Sequence, residues 1–189
     1  MIIGVTGTLG AGKGSVVDYL TKEKGFAHLG VTDFMRSIAN ERGITPVRMT
    51  FHDIANEHRA LGPTKLQESV VEWGKGKGVT DNFVIEAQHT PDEVRFVQEQ
   101  GGIVLAIDAD MRTRYDRITG RGHDKDNTTF EEFKAHEELE MRPTDSSSNH
   151  LAEALATADF HIENNGTLKE LHAQIEKILA SLARSREVG

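Results

Sequence analysis

The sequence predicts an α/β fold, in which a five-stranded parallel sheet forms the middle of three layers, α/β/α. Three observations predict it. Short apolar runs alternate with helical stretches along the whole chain, so each strand returns to the sheet through a helix and the strands lie parallel. Those runs are apolar enough to be covered on both faces, as a parallel sheet requires. The stretch 33–78 holds no strand of its own, so it forms a helical insertion at the carboxyl edge of the sheet.

Each element follows from local signals. Residues 2–6 read as a short buried strand, and 13–24 as a helix that Gly25 stops. A second strand is expected at 26–31. A helix at 33–42 has Asp33 as a candidate N-cap and Gly43 as its stop. Pro46 opens a helix running to about Ala60, which Leu61-Gly62-Pro63 ends. Residues 64–75 form a further helix, and Gly74, Gly76 and Gly78 break the chain before an apolar strand at 83–87. Then come a helix at 91–100, a turn at Gly101-Gly102, a strand at 103–107 and a helix at 111–119. The polar stretch 120–129 is expected to be mobile. A polar helix at 129–141 starts with Thr129 and Glu132 spaced as a capping box, and 145–148 is a loop. The last strand is expected at 158–163, with a turn at Asn164-Asn165-Gly166 suited to positive φ, and an amphipathic helix at 167–182 closes the chain. One domain accounts for everything: a core of 1–32, 79–120 and 146–189, the insertion at about 33–78, and a lid at about 121–145.

Composition excludes several classes. The 189 residues allow one domain with a sizeable core, and 37% hydrophobic with 28% charged residues is an ordinary globular balance. No run approaches the about 20 apolar residues of a membrane span. The start MIIGVTG lacks the features of a signal peptide. With no cysteine there is neither a disulfide framework nor a thiolate metal site, which fits the cytoplasm. A net charge of -8 argues against nonspecific nucleic-acid binding. Any anionic ligand must be held by a local basic cluster. Nine histidines invite a metal, but none has a ligand spacing such as His-Glu-x-x-His. A monomer or homodimer acting on a small molecule is expected.

The densest signal is GTLGAGKGS, Gly7 to Ser15, behind the first strand. Gly7, four residues, then Gly12-Lys13 is the spacing of a phosphate-binding loop that leaves a strand and opens a helix. Glycines let the backbone curl and turn its N–H groups inward. The helix start adds the positive end of its dipole, and Lys13 supplies a cation for the β- and γ-phosphates. Gly7, Leu9, Gly10, Ala11, Gly12, Lys13, Gly14 and Ser15 are therefore the candidate nucleotide-binding residues. The residue after the lysine is normally Ser or Thr, a ligand of Mg²⁺; here it is Gly14, with Ser15 next. The phosphates and water must hold more of the metal's shell, with Ser15 and an acidic group in support. No Asp-x-x-Gly or Asn-Lys-x-Asp occurs, which argues against a switch GTPase.

The lysine-glycine pattern resembles the nucleoside monophosphate kinases of the P-loop superfamily, adenylate kinase above all. Their second strand leads into a segment whose arginine grips the acceptor phosphate. The matching run is Thr32-Asp33-Phe34-Met35-Arg36. Asp33 and Arg36 lie about one helical turn apart and are candidate substrate-binding residues, Asp33 also a candidate base. Glu86 ends the third strand, where a carboxylate can hold a water of the Mg²⁺ shell; Asp108 ends the next strand and competes. The resemblance implies an arginine shortly after Glu86, but His89 stands there instead, a partly charged donor or a plain loop residue. Arg114, Arg117 and Arg121 fall on one helix face before the lid, and Arg117 and Arg121 match the arginine pair at the lid's base. The far side of the lid is acidic, with only Lys134 and Arg142 to compensate.

The run 158–166 and the helix after it resemble the end of dephospho-CoA kinase. In such kinases that turn lies beside the adenine, which makes Asn165 and Gly166 candidates for reading its edge. The whole chain is most similar to a group of dephospho-CoA-kinase-like proteins best known from archaea. The resemblance implies a kinase using ATP and Mg²⁺, with a nucleoside monophosphate as acceptor or dephospho-CoA as second choice. The other reading is a regulatory nucleotide-binding module with weak or no transfer.

Overall fold

The computed structural model describes residues 1–121, 128–141 and 150–187. Within them five strands form one parallel sheet: β1 (Ile2–Gly7), β2 (Ala27–Leu29), β3 (Phe83–Glu86), β4 (Ile103–Asp108) and β5 (Phe160–Glu163), in the order β2-β3-β1-β4-β5. β1 is central, with Ile3 opposite Val84 of β3 and Ile103 of β4. Central placement explains why β1 is mostly apolar and why its one polar side chain, Thr6, is buried and hydrogen-bonded, since the strand is covered on both faces. After β1 the chain crosses outward to β2; after β3 it crosses the other way, to β4. The loops behind β1 and β3 therefore diverge and leave a crevice at the carboxyl edge, the place where such sheets bind ligands.

The helices are α1 (Lys13–Lys24), α2 (Val31–Glu41), α3 (Arg48–Ala60), α4 (Lys65–Gly76), α5 (Pro91–Glu99), α6 (Met111–Thr119), α7 (Phe130–Glu140), α8 (Leu151–Thr157) and α9 (Leu168–Glu187). Successive strand residues point to opposite faces, so the sheet divides the core in two. On one face Val5, Val84, Leu105 and Ile162 pack against Val16 and Leu20 of α1 and Leu171 and Ile175 of α9. On the other, Leu29, Ile85 and Val104 meet Leu66 and Val70 of α4, Val94 and Val97 of α5, and Ala154 of α8. α2 and α3 join that second core through Phe34, Ala39 and Ile54.

Several boundaries differ from the sequence reading. β2 ends at Leu29, and α2 starts at Val31 with Gly30 extended before it. Asp33 is thus inside the first helical turn, its N–H donating to the Gly30 carbonyl, and it is not the N-cap. Pro46 does not open α3. Val47 is extended and the helix begins at Arg48. α8 escaped the sequence because a helix of 7 residues shows too little periodicity. Thr167 lies outside α9 as one half of a capping box with Glu170, and the helix runs on to Glu187. The Thr129–Glu132 capping box forms in both directions. None of Asn164, Asn165 and Gly166 has positive φ, so the turn after β5 needs no left-handed residue. Arg142, the loop 145–148 and most of the stretch 120–129 lie outside the described residues.

Candidate functional site

The loop between β1 and α1 curls because two of its glycines are left-handed: Gly10 at φ 81° and Gly12 at φ 99°. Gly12 caps α1, accepting from the N–H groups of Ser15 and Val16. A side chain at Gly12 would overlap the Asn164 amide, and one at Gly7 would overlap the Ile107 carbonyl. Lys13 arches back over this curve, its Nζ donating to the carbonyls of Gly7 (2.8 Å) and Thr8 (2.9 Å). Ala11 is buried, Leu9 and Gly14 are exposed, and no atom lies within 4 Å of where a Gly14 side chain would begin.

The loop is fastened from three other elements. Thr8 donates its hydroxyl to Asp108 at the end of β4 (2.6 Å). Asn164, buried after β5, donates Nδ2 to the Ala11 carbonyl (2.8 Å). From α6, Arg114 donates to the Leu9 carbonyl (3.5 Å) and to the Ala109 carbonyl (2.6 Å), and Arg117 reaches Ala11 (3.5 Å). Arg114 is only 4% exposed and makes a two-pronged ion pair with Glu137 of α7. The arginine row is therefore divided. Arg114 is a brace, Arg117 is half-buried against the loop, and Arg121 is exposed at the end of α6. One acid of α7 has an explanation too, because Glu137 is the counter-charge of Arg114.

Across the crevice, Glu86 ends β3 beside His28, whose Nε2 lies 3.4 Å from the carboxylate. Hydrogen bonding from His28, with Lys13 and His89 nearby, holds the Glu86 carboxyl below the usual carboxylate range; the same pairing raises the His28 imidazole. Ala87, next in the chain, is left-handed at φ 68°, a conformation costing a non-glycine residue of order 1 kcal/mol. Its neighbours hold it there. Thr6 donates to the Gln88 carbonyl (2.6 Å) and the buried Gln67 of α4 donates to the Ala87 carbonyl (3.2 Å). His89 does not meet the expectation of a partly charged donor. Burial, with the Arg59 and Lys13 cations close by, pushes its imidazole down to about 4, so it is neutral at physiological pH.

On α2, Asp33 and Arg36 face the same way. They are exposed and paired with each other, and Arg36 also lies over the Phe51 ring at 5.8 Å. Asn165 accepts from the Asp110 N–H (2.7 Å), tying the turn after β5 to the one after β4, while Gly166 is exposed against Glu170. The sequence reading named Asn165 and Gly166 but missed Asn164, the residue that touches the loop. It also missed His28, Arg59, Glu93 and Gln67. Only Glu93 carried a local signal, the Thr90-Pro91-Asp92-Glu93 start of α5; the others meet the site by long-range contact. Among the described residues no cluster of three or more His, Asp or Glu could hold a metal ion unaided.

A family model described as an AAA domain matches residues 3–145. The chain belongs to this AAA-domain family. Its relatives include a UPF0200 protein of Methanothermobacter thermautotrophicus, 29% identical over 193 residues, covering 99% of this chain and 93% of the relative. A UPF0200 protein of Hyperthermus butylicus is 29% identical over 186 residues, covering 96% and 95%. The archaeal resemblance read from the sequence is thus met. Among solved structures, dephospho-CoA kinase from Campylobacter jejuni superposes with a TM-score of 0.57 at 16% identity, covering 98% of both chains. Shikimate kinase from Aquifex aeolicus, a likeness the sequence did not suggest, gives 0.55 at 16% identity over the whole of both chains. At such identity these two establish the fold alone, which is that of the P-loop kinases.

Proposed function

We propose that this AAA-domain protein is an ATP- and Mg²⁺-dependent kinase whose acceptor is a small nucleotide, a nucleoside monophosphate before dephospho-CoA. The observation that carries the reading is the crevice itself. A pre-curled glycine loop with an arched lysine faces an ionised Glu86 across the sheet's switch point. The loop amides and Lys13 hold the donor phosphates. Arg117 and Arg121 stabilise charge that develops on the moving phosphoryl group, and the turn at Asn165-Gly166 lies beside the base. Glu86, kept ionised by its neighbours, would hold the metal through water, with Ser15 in support; Mg²⁺, when bound, neutralises phosphate charge. Arg36 and Asp33 place the acceptor from the insertion at about 33–78. Asp33 acts as base only if the acceptor is a hydroxyl. Closure of that insertion and of a lid at about 121–145 over the core excludes water. The cytoplasm is the compartment this reading implies.

Purified protein incubated with ATP, Mg²⁺ and a panel of nucleoside monophosphates plus dephospho-CoA tests it. Transfer by the wild type that Lys13→Ala lowers by about 10²- to 10³-fold is the expected result. A second reading, a nucleotide-binding regulatory module, is favoured by the neutral His89 and the acidic lid helix α7. ATP binding without transfer to any acceptor selects it.

A further inference from the structure

Arg59 lies near the end of α3, inside the insertion, and reaches back to the crevice. Its Nε is 3.7 Å from Oε1 of Glu93, in the first turn of α5. The Glu93 side chain is 1% exposed. Its Oε2 accepts from the His89 N–H (2.7 Å), while Oε1 has no hydrogen-bond partner. A carboxylate this buried requires a counter-charge, and Arg59 is the cation beside it. Glu93 thereby fixes one edge of the guanidinium. The rest remains available: the side chain is 31% exposed, and its terminal nitrogens make no hydrogen bond among the described residues.

Arg59 is also close to the phosphate loop's cation. The His89 ring feels both Arg59 and Lys13 as nearby positive charges, so α3 and the loop after β1 bring their basic groups to the same segment after β3. A guanidinium held by one edge presents a flat fork of N–H groups, which suits an oxyanion with two accessible oxygens. We infer that Arg59, anchored by Glu93, grips the phosphate of the acceptor, so that the acceptor is a phosphomonoester and not a bare hydroxyl.

The inference rests on the kinase reading and narrows it to a substrate class. An oxygen of the acceptor phosphate bonds to the γ-phosphorus of ATP. The bond from that phosphorus to the bridging oxygen breaks, and ADP leaves with the electron pair. At neutral pH the attacking oxygen is already deprotonated, so no base is consumed. Neutral His89 adds no further cation beside Arg59 and Lys13.

The test compares the wild type with Arg59→Gln, Arg59→Lys and the double variant Arg59→Gln/Glu93→Gln, with thermal unfolding of each. Nucleoside monophosphates and dephospho-CoA are the acceptors. Arg59→Gln is expected to raise KM for the monophosphate roughly 10- to 100-fold and leave KM for ATP within about 2-fold, with Arg59→Lys between. The double variant removes the unpaired buried charge; it is expected to unfold at the wild-type temperature and still bind the acceptor weakly. An unchanged acceptor KM in Arg59→Gln, or a wild type that transfers only to dephospho-CoA, overturns the inference. Absence of transfer to every acceptor sinks the kinase reading instead. Calorimetry with monophosphate and inorganic phosphate then decides the role of Arg59 alone. Binding that Arg59→Gln weakens about 10-fold or more supports it, and no binding or unchanged binding overturns it.

Discussion

The two sides of the crevice are built differently. The glycine loop is fastened by Thr8 to β4, by Asn164 to the turn after β5 and by Arg114 to α6 and α7, and all three of these residues are buried. On the side of α2 and α3 the charged groups are mostly exposed pairs, Asp33 with Arg36 and Arg42 with Glu57; the Arg59–Glu93 pair is the deeper exception. Phosphate binding by fixed amides works best when no reorganisation is left to the moment of reaction. Under the proposed reading, acceptor binding can tolerate loosely held charges that exchange one partner for another. The contrast is between a braced loop and a surface of exposed ion pairs.

Breaking the brace should have the largest effect. Arg114→Met strands Glu137 in a poorly solvated place. It is expected to destabilise the fold by about 3–5 kcal/mol, read by denaturant unfolding, while Arg114→Met/Glu137→Leu recovers most of the loss. Asn164→Ala leaves the Ala11 carbonyl without its buried donor. A loss of about 1–3 kcal/mol is expected, with a rise in KM for ATP and little change in KM for the acceptor. Asp33→Asn, on the other side, is expected to change stability by less than about 1 kcal/mol, because the pair it breaks is exposed. If it alters turnover, the effect should fall on the acceptor KM. A stability loss there as large as that at Asn164 would erase the distinction between the two sides.

The smallest effect is a pH dependence. His28 is raised by Glu86, so its share of the stability is complete below its unfolded value and is lost as pH rises through its higher folded value. Glu86 is lowered, so its share is present above its unfolded value and is lost as pH falls through the lower folded one. The pair is thus strongest between those limits. His89 works in the acid direction: buried and neutral, it gives up stability as pH falls from its usual 6.5 through about 4. Thermal midpoints from about pH 5 to about pH 9 should fall on the alkaline side of the His28 titration in the wild type and stay flat there in His28→Gln.

Wherever the signal was local, the molecule could be read from its residues. The five strands, the loop from Gly7 to Ser15 and the Thr129–Glu132 cap each announce themselves within a few positions. So do the carboxylates that end β3 and β4. What escaped depends on distant partners. Arg114 looked like the others in its row until Glu137, 23 residues on, buried it. Asn164 meets Ala11 across a separation of 153 residues, and His28 meets Glu86 only because β2 pairs with β3. The charge of His89 was not legible for the same reason: it is set by burial and by Arg59 and Lys13, neither of them near it in sequence.

The Arg114 brace has a mechanical consequence. One guanidinium touches the carbonyl of Leu9 in the loop and the carboxylate of Glu137 on α7, so a single side chain links the two. A shift at Leu9 is then expected to be felt at α7, and Arg114→Met to cut that link. A fluorophore on the outward surface of α7 would register occupancy of the loop at a distance, without touching the nucleotide.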